Sequence, residues 1–103
     1  MAMSSTVRRL RRDPELAKRM FLEGNRKFNN TGYKIVIWYD QDNRKYIYLE
    51  HLLVIRAMSI EIPKGYQVHH TDSNKLNNDI SNLQVLSPEA HLELHRQKVL
   101  ALV

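Results

Sequence analysis

The chain contains no cysteine, and that absence removes disulfide frameworks, cysteine-type zinc ribbons and thiol catalysis. A transition metal would have to be held by His, Asp, Glu or Asn. No apolar run approaches the roughly 20 residues that a bilayer-crossing helix needs, and the N-terminus has no apolar h-region. A cytoplasmic protein without a membrane segment is therefore expected. Internal repeats and low-complexity tracts are missing as well, and the Asn29-Asn30-Thr31 glycosylation triplet means little without a secretory signal.

What is present fits one small domain. A chain of 103 residues buries only about 60 to 70% of the surface its unfolded form exposes, so its core is modest and a bound metal would act as a staple. The hydrophobic content of 43% argues against wholesale disorder. A formal charge of +5 and an isoelectric point near 9.7 favour a polyanionic partner such as nucleic acid or an anionic surface. The excess gathers early, in Arg8, Arg9, Arg11, Arg12, Lys18, Arg19, Arg26 and Lys27 against Asp13, Glu15 and Glu23. A solvated basic tail accounts for such a run equally well.

Residues 1–12 show no hydrophobic periodicity and read as a flexible basic arm. Asp13-Pro14 then opens a helix of about ten residues, with Asp as N-cap, Pro at the first position, Leu16, Met20 and Phe21 on one face, and Gly24 as its stop. After the turn cluster Asn29-Asn30-Thr31-Gly32, Tyr33 to Tyr39 alternates as a strand and Arg44 to Leu49 mirrors it, giving a β-hairpin. Glu50 to Met58 is a short helix or a continued strand, since periodicity does not separate the two. His51 within it reads as a packed histidine and not as a ligand. Pro63 to Gly65 is a turn.

Four of the five histidines fall between Glu61 and Arg96. Tyr66 to His70 is a short strand whose period of two sends His69 and His70 to opposite faces, so the neighbours can do different jobs. Leu83 to Leu86 is a second strand, and Ser87-Pro88 opens a helix through about Leu100. On that helix His91 and His95 are one turn apart, the spacing that lets two imidazoles meet one cation. Leu94, Val99 and Leu102 flank the same side, which makes it the expected core-facing side. A hairpin on a helix would thus gather His69, His91 and His95 around one ion with a position left open. Asp72-Ser73-Asn74 begins like a calcium loop but fails at Leu76, Asn77 and Leu83, where a ligand, a glycine and a bidentate Glu belong.

The residues His69-His70, Asp72, Asn74-Lys75-Leu76-Asn77-Asn78, Asn82-Leu83, His91 and His95, preceded by Ile62-Pro63-Lys64-Gly65-Tyr66, resemble the HNH endonucleases. These are the ββα-metal or His-Me finger nucleases, and the likeness is to small phage-type and homing-type members over residues 46–96. It implies an α+β fold: a ββα-metal finger, a two-stranded hairpin plus helix around one divalent metal, with an N-terminal helix and an additional β-hairpin. Residues 13–103 would then be one nuclease domain, with the metal finger at 66–100.

The same resemblance implies roles. His70 would be the general base of phosphodiester hydrolysis, Asn82 would brace the finger and help orient His70, and His69, His91 and His95 would hold the metal. Three imidazoles suit Zn, Ni, Co or Mn, whereas oxygen-ligand members lean to Mg. The products would carry 5′-phosphate and 3′-hydroxyl ends. DNA is the implied partner, with Arg8, Arg9, Arg11, Arg12, Lys75 and Arg96 as candidate phosphate contacts, and the setting a bacterial or phage-infected cell. Ser73 stands where many relatives have Gly. A homodimer, or a phage or host partner protein, would fit a chain without a separate DNA-binding module. A nucleic-acid-binding module with a structural metal is the alternative, and His70 separates the two, because a structural site needs no unliganded histidine beside it.

Overall fold

The computed structural model describes the backbone of residues 5–101 and the side chains of residues 8–101. In chain order it contains α1 (Ser5–Arg12), α2 (Pro14–Glu23), β1 (Asn25–Phe28), β2 (Lys34–Tyr39), β3 (Lys45–Leu49), α3 (Glu50–Ala57), β4 (Gln67–His70), β5 (Leu83–Leu86) and α4 (Pro88–Ala101). One 3-10 turn, Ile80–Asn82, leads into β5. The α+β architecture expected from the sequence is present, with two additions.

The first addition is α1, which corrects the expectation of a flexible arm for residues 5–12. Leu10 is completely buried in the main core, and the Arg9 Nη1 donates to the Tyr46 hydroxyl at 2.9 Å. A single leucine among arginines makes no periodic pattern, yet it suffices to anchor two turns of helix. Met1 to Ser4 of the expected arm, and Leu102, lie outside the described residues. The second addition is β1, a short edge strand of the sequence NRKF that pairs antiparallel with β2 from Asn25↔Ile37 to Phe28↔Lys34. Three of its four residues are exposed. An exposed edge rich in charge carries no alternating signal.

The hairpin of β2 and β3 has the register Ile35↔Leu49, Ile37↔Ile47 and Trp38↔Tyr46. Its turn is closed by the Asp40 carboxylate, which accepts from the Asp42 and Arg44 backbone N–H groups at 2.9 Å each. Val36 and Trp38 point into the main core with Leu10, Ala17, Met20, Tyr46, Leu53 and Ala57. On α2, Asp13 caps as expected by accepting from Leu16 N.

Glu50 to Ala57 is helical, and α3 joins two cores. Leu53 and Ala57 belong to the first, while Val54 and Ile55 join Leu83 in a smaller second one, lined by Phe21, Ile62, Val68 and Val85. That second cluster seats the β4–β5 hairpin, whose register runs from Gln67↔Leu86 to His70↔Leu83. The turn before β4 is closed by Tyr66 N–H to the Pro63 carbonyl, with Gly65 at φ 86°. Ser87 caps α4 by accepting from Ala90 N at 3.1 Å.

The core-facing side expected for α4 is a correction. No residue of this helix is buried, and Leu92 and Val99 are 71% and 61% exposed. The two cores are already filled by α2, α3 and the hairpins, so the second half of α4 finds no apolar partner among the described residues.

Gly24 ends α2 as expected, by a different device. Its backbone is extended, at φ −73° and ψ 157°, and its N–H bonds the Met20 carbonyl. A side chain at this position would run into Val36 Cγ1 and the Met20 carbonyl oxygen. Glycine is needed there for space between α2 and β2, not for a left-handed turn. Gly24→Ala should therefore cost about 1–3 kcal/mol through overpacking, read as a lower urea midpoint with an unchanged slope; an unchanged midpoint would show that Val36 yields freely.

Candidate active site

Strand β4 ends on His69 and His70, and the period of two separates them as expected. His70 turns inward and is 6% exposed. His69 is half-buried on the opposite side of the strand, with its ring centroid 6.2 Å from that of His91 at the start of α4. His91 and His95 lie 4.5 Å apart, edge to face. An open cleft is lined by Tyr33, Gln67, Val68, His69, His70, Ser73, Lys75 and His91.

The loop between β4 and β5 is held by its own amides. Asn82 is buried, and its Nδ2 donates to Asp72 Oδ1 and to the Asn77 carbonyl, each at 2.9 Å. Its Oδ1 accepts from Asp72 N at 3.0 Å. Hydrogen bonds from the Asn77 side chain, then from the Asn74 backbone and Asn82, hold the Asp72 carboxyl below its ordinary range. Asn82 thus ties Asp72 to Asn77 across the loop, while the ring of His70 is bonded to a different residue. Ser73 adopts φ 63°, the left-handed conformation that favours glycine.

The partner of the His70 ring is Asn78, whose Oδ1 lies 2.7 Å from His70 Nε2. The Asn78 amide in turn donates to Glu50 Oε1 at 3.1 Å. Glu50, 8% exposed, accepts from Arg26 Nε on Oε2 at 2.7 Å, and Lys34 Nζ lies 3.9 Å from Oε1. Burial alone would raise the Glu50 pKa. Hydrogen bonds from Arg26 and Asn78, with the charges of Lys34 and Arg26, outweigh it and leave the carboxyl below its ordinary value. Sequence reading missed this chain of bonds, because the only signals are an acidic residue where a strand turns into a helix and one asparagine among several.

His51 is also brought to the site. It is 6% exposed, with its ring 5.0 Å from His70 and stacked on Tyr33 at 5.3 Å. Its Nδ1 has no hydrogen-bond partner. The packed reading made from the sequence holds, and its neighbour is the candidate base itself.

Three metal-ligating side chains do not converge among the described residues. His69, His91 and His95 stand as a row with His91 in the middle, and of the three only His69 and His91 line the cleft. The donors suit a divalent ion of intermediate softness. Burial first, then the charge of Lys98 and the neighbouring histidines, keeps His69 below its ordinary pKa, and the neutral imidazole is the form that ligates. His69 and His91 are therefore the two imidazoles available to a metal at the cleft, with no third His, Asp or Glu grouped with them among the described residues and His95 one turn further along the helix.

The cations are spread out. Lys75 Nζ sits 4.8 Å over the Tyr33 ring at the cleft. Arg96 pairs with Glu93 on the exposed side of α4. Arg8, Arg9, Arg11 and Arg12 ride on α1, which packs on α2, α3 and β3.

The sequence model described as HNH endonuclease matches residues 48–93. A 68-residue stretch is 37% identical to YosQ of Bacillus subtilis (strain 168), an SPbeta prophage-derived protein provisionally named as an HNH homing endonuclease. The match takes in 66% of this chain and 39% of that relative, so the chain spans well under half of its length. Among solved structures, the fold is similar to that of the HNH homing endonuclease I-HmuI, whose structure is described as showing DNA binding and cleavage. That likeness has a TM-score of 0.59 at 21% identity, covering 73% of this chain and 42% of that one.

Burial, and secondarily the charge of His70, depresses the His51 pKa from about 6.5 to about 4. The unfolded chain then binds more protons than the folded one between those values. The stability this histidine contributes as a neutral ring is present above about pH 6.5 and is lost as pH falls towards 4. Between pH 7 and 4.5 the wild type should lose about 2–3 kcal/mol more than His51→Gln, measured by urea unfolding at both pH values. Parallel losses would show that the ring does not resist protonation.

Proposed function

We propose that this chain, which the HNH endonuclease model matches over residues 48–93, is a nuclease of that kind: a metal-dependent DNA endonuclease with His70 as general base. The observation that carries the reading is the division of labour on β4. His69 turns to His91 at the cleft, whereas His70, next in sequence, is withheld from that pair and bonded to Asn78. A purely structural metal site has no use for the second ring.

His69 and His91 would hold the divalent ion, with Zn, Ni, Co, Mn and Mg as candidates and His95 in reserve on the next turn. When bound, the metal supplies positive charge at a phosphate oxygen and at the leaving oxygen. His70 takes a proton from a water as the water oxygen bonds to phosphorus and the P–O3′ bond breaks, and the departing 3′ oxygen takes a proton from solvent, which gives 5′-phosphate and 3′-hydroxyl ends. Lys75 at the mouth of the cleft is suited to a neighbouring phosphate, and the α1 arginines and Arg96 to the backbone further off. One finger offers one reactive centre, so the elementary event is a nick, in a low-specificity or homing-type nuclease. Cutting both strands would take a second copy or two successive nicks. The setting we infer is the cytoplasm of a bacterial or phage-infected cell, with DNA as partner.

Supercoiled plasmid should be nicked when Mg²⁺, Mn²⁺, Ni²⁺ or Zn²⁺ is supplied, and EDTA should abolish nicking. His70→Ala should lower the rate by at least about 100-fold while keeping the metal-induced rise in melting temperature, whereas His91→Ala should lower metal affinity by about 10-fold or more together with that rise. Cleavage that survives loss of His70 would remove it as the base.

DNA affinity should fall steeply with salt. Replacing Arg8 and Arg12 with Ala should reduce the slope of log K against log salt by about 1 to 2, nearly one for each phosphate no longer neutralised. An unchanged slope would show that these side chains only solvate α1.

A further inference from the structure

The network behind His70 carries an instruction about which ring nitrogen does the chemistry. Glu50 is the fixed point. Its carboxylate is nearly buried and is met by Arg26 Nε at 2.7 Å, so it is ionised and can only accept hydrogen bonds. The Asn78 side chain lies between that carboxylate, at 3.1 Å, and His70 Nε2, at 2.7 Å. An amide has one donating and one accepting end. Facing an acceptor-only neighbour, Asn78 must turn its NH₂ to Glu50, which leaves its oxygen towards His70. That oxygen can only accept, so the nitrogen facing it must carry the proton. A neutral imidazole protonated on Nε2 has its lone pair on Nδ1.

We propose that Glu50, held by Arg26 and acting through Asn78, is a positioning residue that fixes His70 in the Nε2–H tautomer and so makes Nδ1 the nitrogen that accepts the proton from water. The assignment rests on the nuclease reading above and deepens it. It also gives the catalytic finger a dependence on residues outside itself, because Arg26 belongs to β1 and Glu50 to α3. Neither touches the cleft. Their influence is confined to the sense in which one amide is turned.

Glu50→Gln discriminates this role from simple packing. The substitution keeps size and shape. The oxygen of the new side-chain amide would be claimed by the Arg26 guanidinium, which can only donate, so its NH₂ would face Asn78. Asn78 would then turn its oxygen to that NH₂ and its own NH₂ to His70, and the imidazole would carry its proton on Nδ1 instead. A residue that merely filled space would leave the tautomer as it was.

The test is the ¹⁵N shifts and two-bond N–H correlations of His70 in the metal-free full chain, recorded at a pH where the ring is neutral. They are paired with plasmid nicking by the metal-loaded wild type and by Glu50→Gln. We expect Nε2–H in the wild type, a shift towards Nδ1–H in the variant, and a kcat about 10- to 100-fold lower with KM little changed, the size usual when a partner behind a functional side chain is removed. A wild-type His70 with its proton on Nδ1, or on both nitrogens in turn, overturns the proposal without any variant, so a Glu50→Gln chain that fails to fold does not shield it. A folded variant that keeps Nε2–H, or that keeps the full kcat, overturns it as well. A chain showing both the tautomer and its switch while nicking no DNA with any metal would keep the relay and remove the nuclease reading.

Discussion

A carboxylate taken out of water must be paired or it will not stay charged. In this protein that carboxylate is Glu50, and most of the architecture meets at its oxygens. Arg26 reaches it from the edge of the three-stranded sheet, Lys34 from the central strand, and Asn78 from the loop of the finger. The polar junction specifies how the sheet, α3 and the finger loop are set together, and each partner is needed because any one left alone would strand a charge or an amide.

Around that junction, α3 divides its side chains between two small cores. Leu53 and Ala57 face the sheet and α2, whereas Val54 and Ile55 face the finger hairpin. An eight-residue helix has no stability of its own in water, so it is held by what it separates. Its first turn therefore stands at a fixed place, and that turn carries Glu50 and His51. The rings of Tyr33, His51 and His70 follow one another from it, at 5.3 and 5.0 Å. The candidate base is thus packed from behind by aromatic faces and held at its edge by a single amide.

The elements with strong local signals were legible in the sequence. The cap Asp13-Pro14, the alternation from Tyr33 to Tyr39, the strand ending in two histidines, and Ser87-Pro88 before a helix all name their structures through residue chemistry that acts over a few positions. What was hidden depends on partners distant in sequence. The single buried Leu10 makes α1 part of the fold. Charged β1 is a strand only because β2 offers it hydrogen bonds. Gly24 matters for its closeness to Val36, and not for the turn it resembles. The histidine spacing places His69 near His91 and His91 near His95 without closing the three rings on one point, and it overstated the helix's contact with the core, since periodicity reports a face and not whether anything lies opposite. Asn78 was not legible as the partner of His70, because one asparagine in a run of polar residues looks like another until Glu50 arrives from 28 positions away.

The bare second half of α4 changes what the histidine pair on it means. From Arg96 onwards every described side chain of the helix is exposed, so these turns rest on their own backbone hydrogen bonds and on pairs such as Arg96 with Glu93. Short helical segments of this kind open and close readily. His91 and His95 lie on the stretch where the seated part of the helix gives way to the free part. An ion held between His69 and His91 would tie the first turns of α4 to the hairpin and leave the turns beyond His95 as they are.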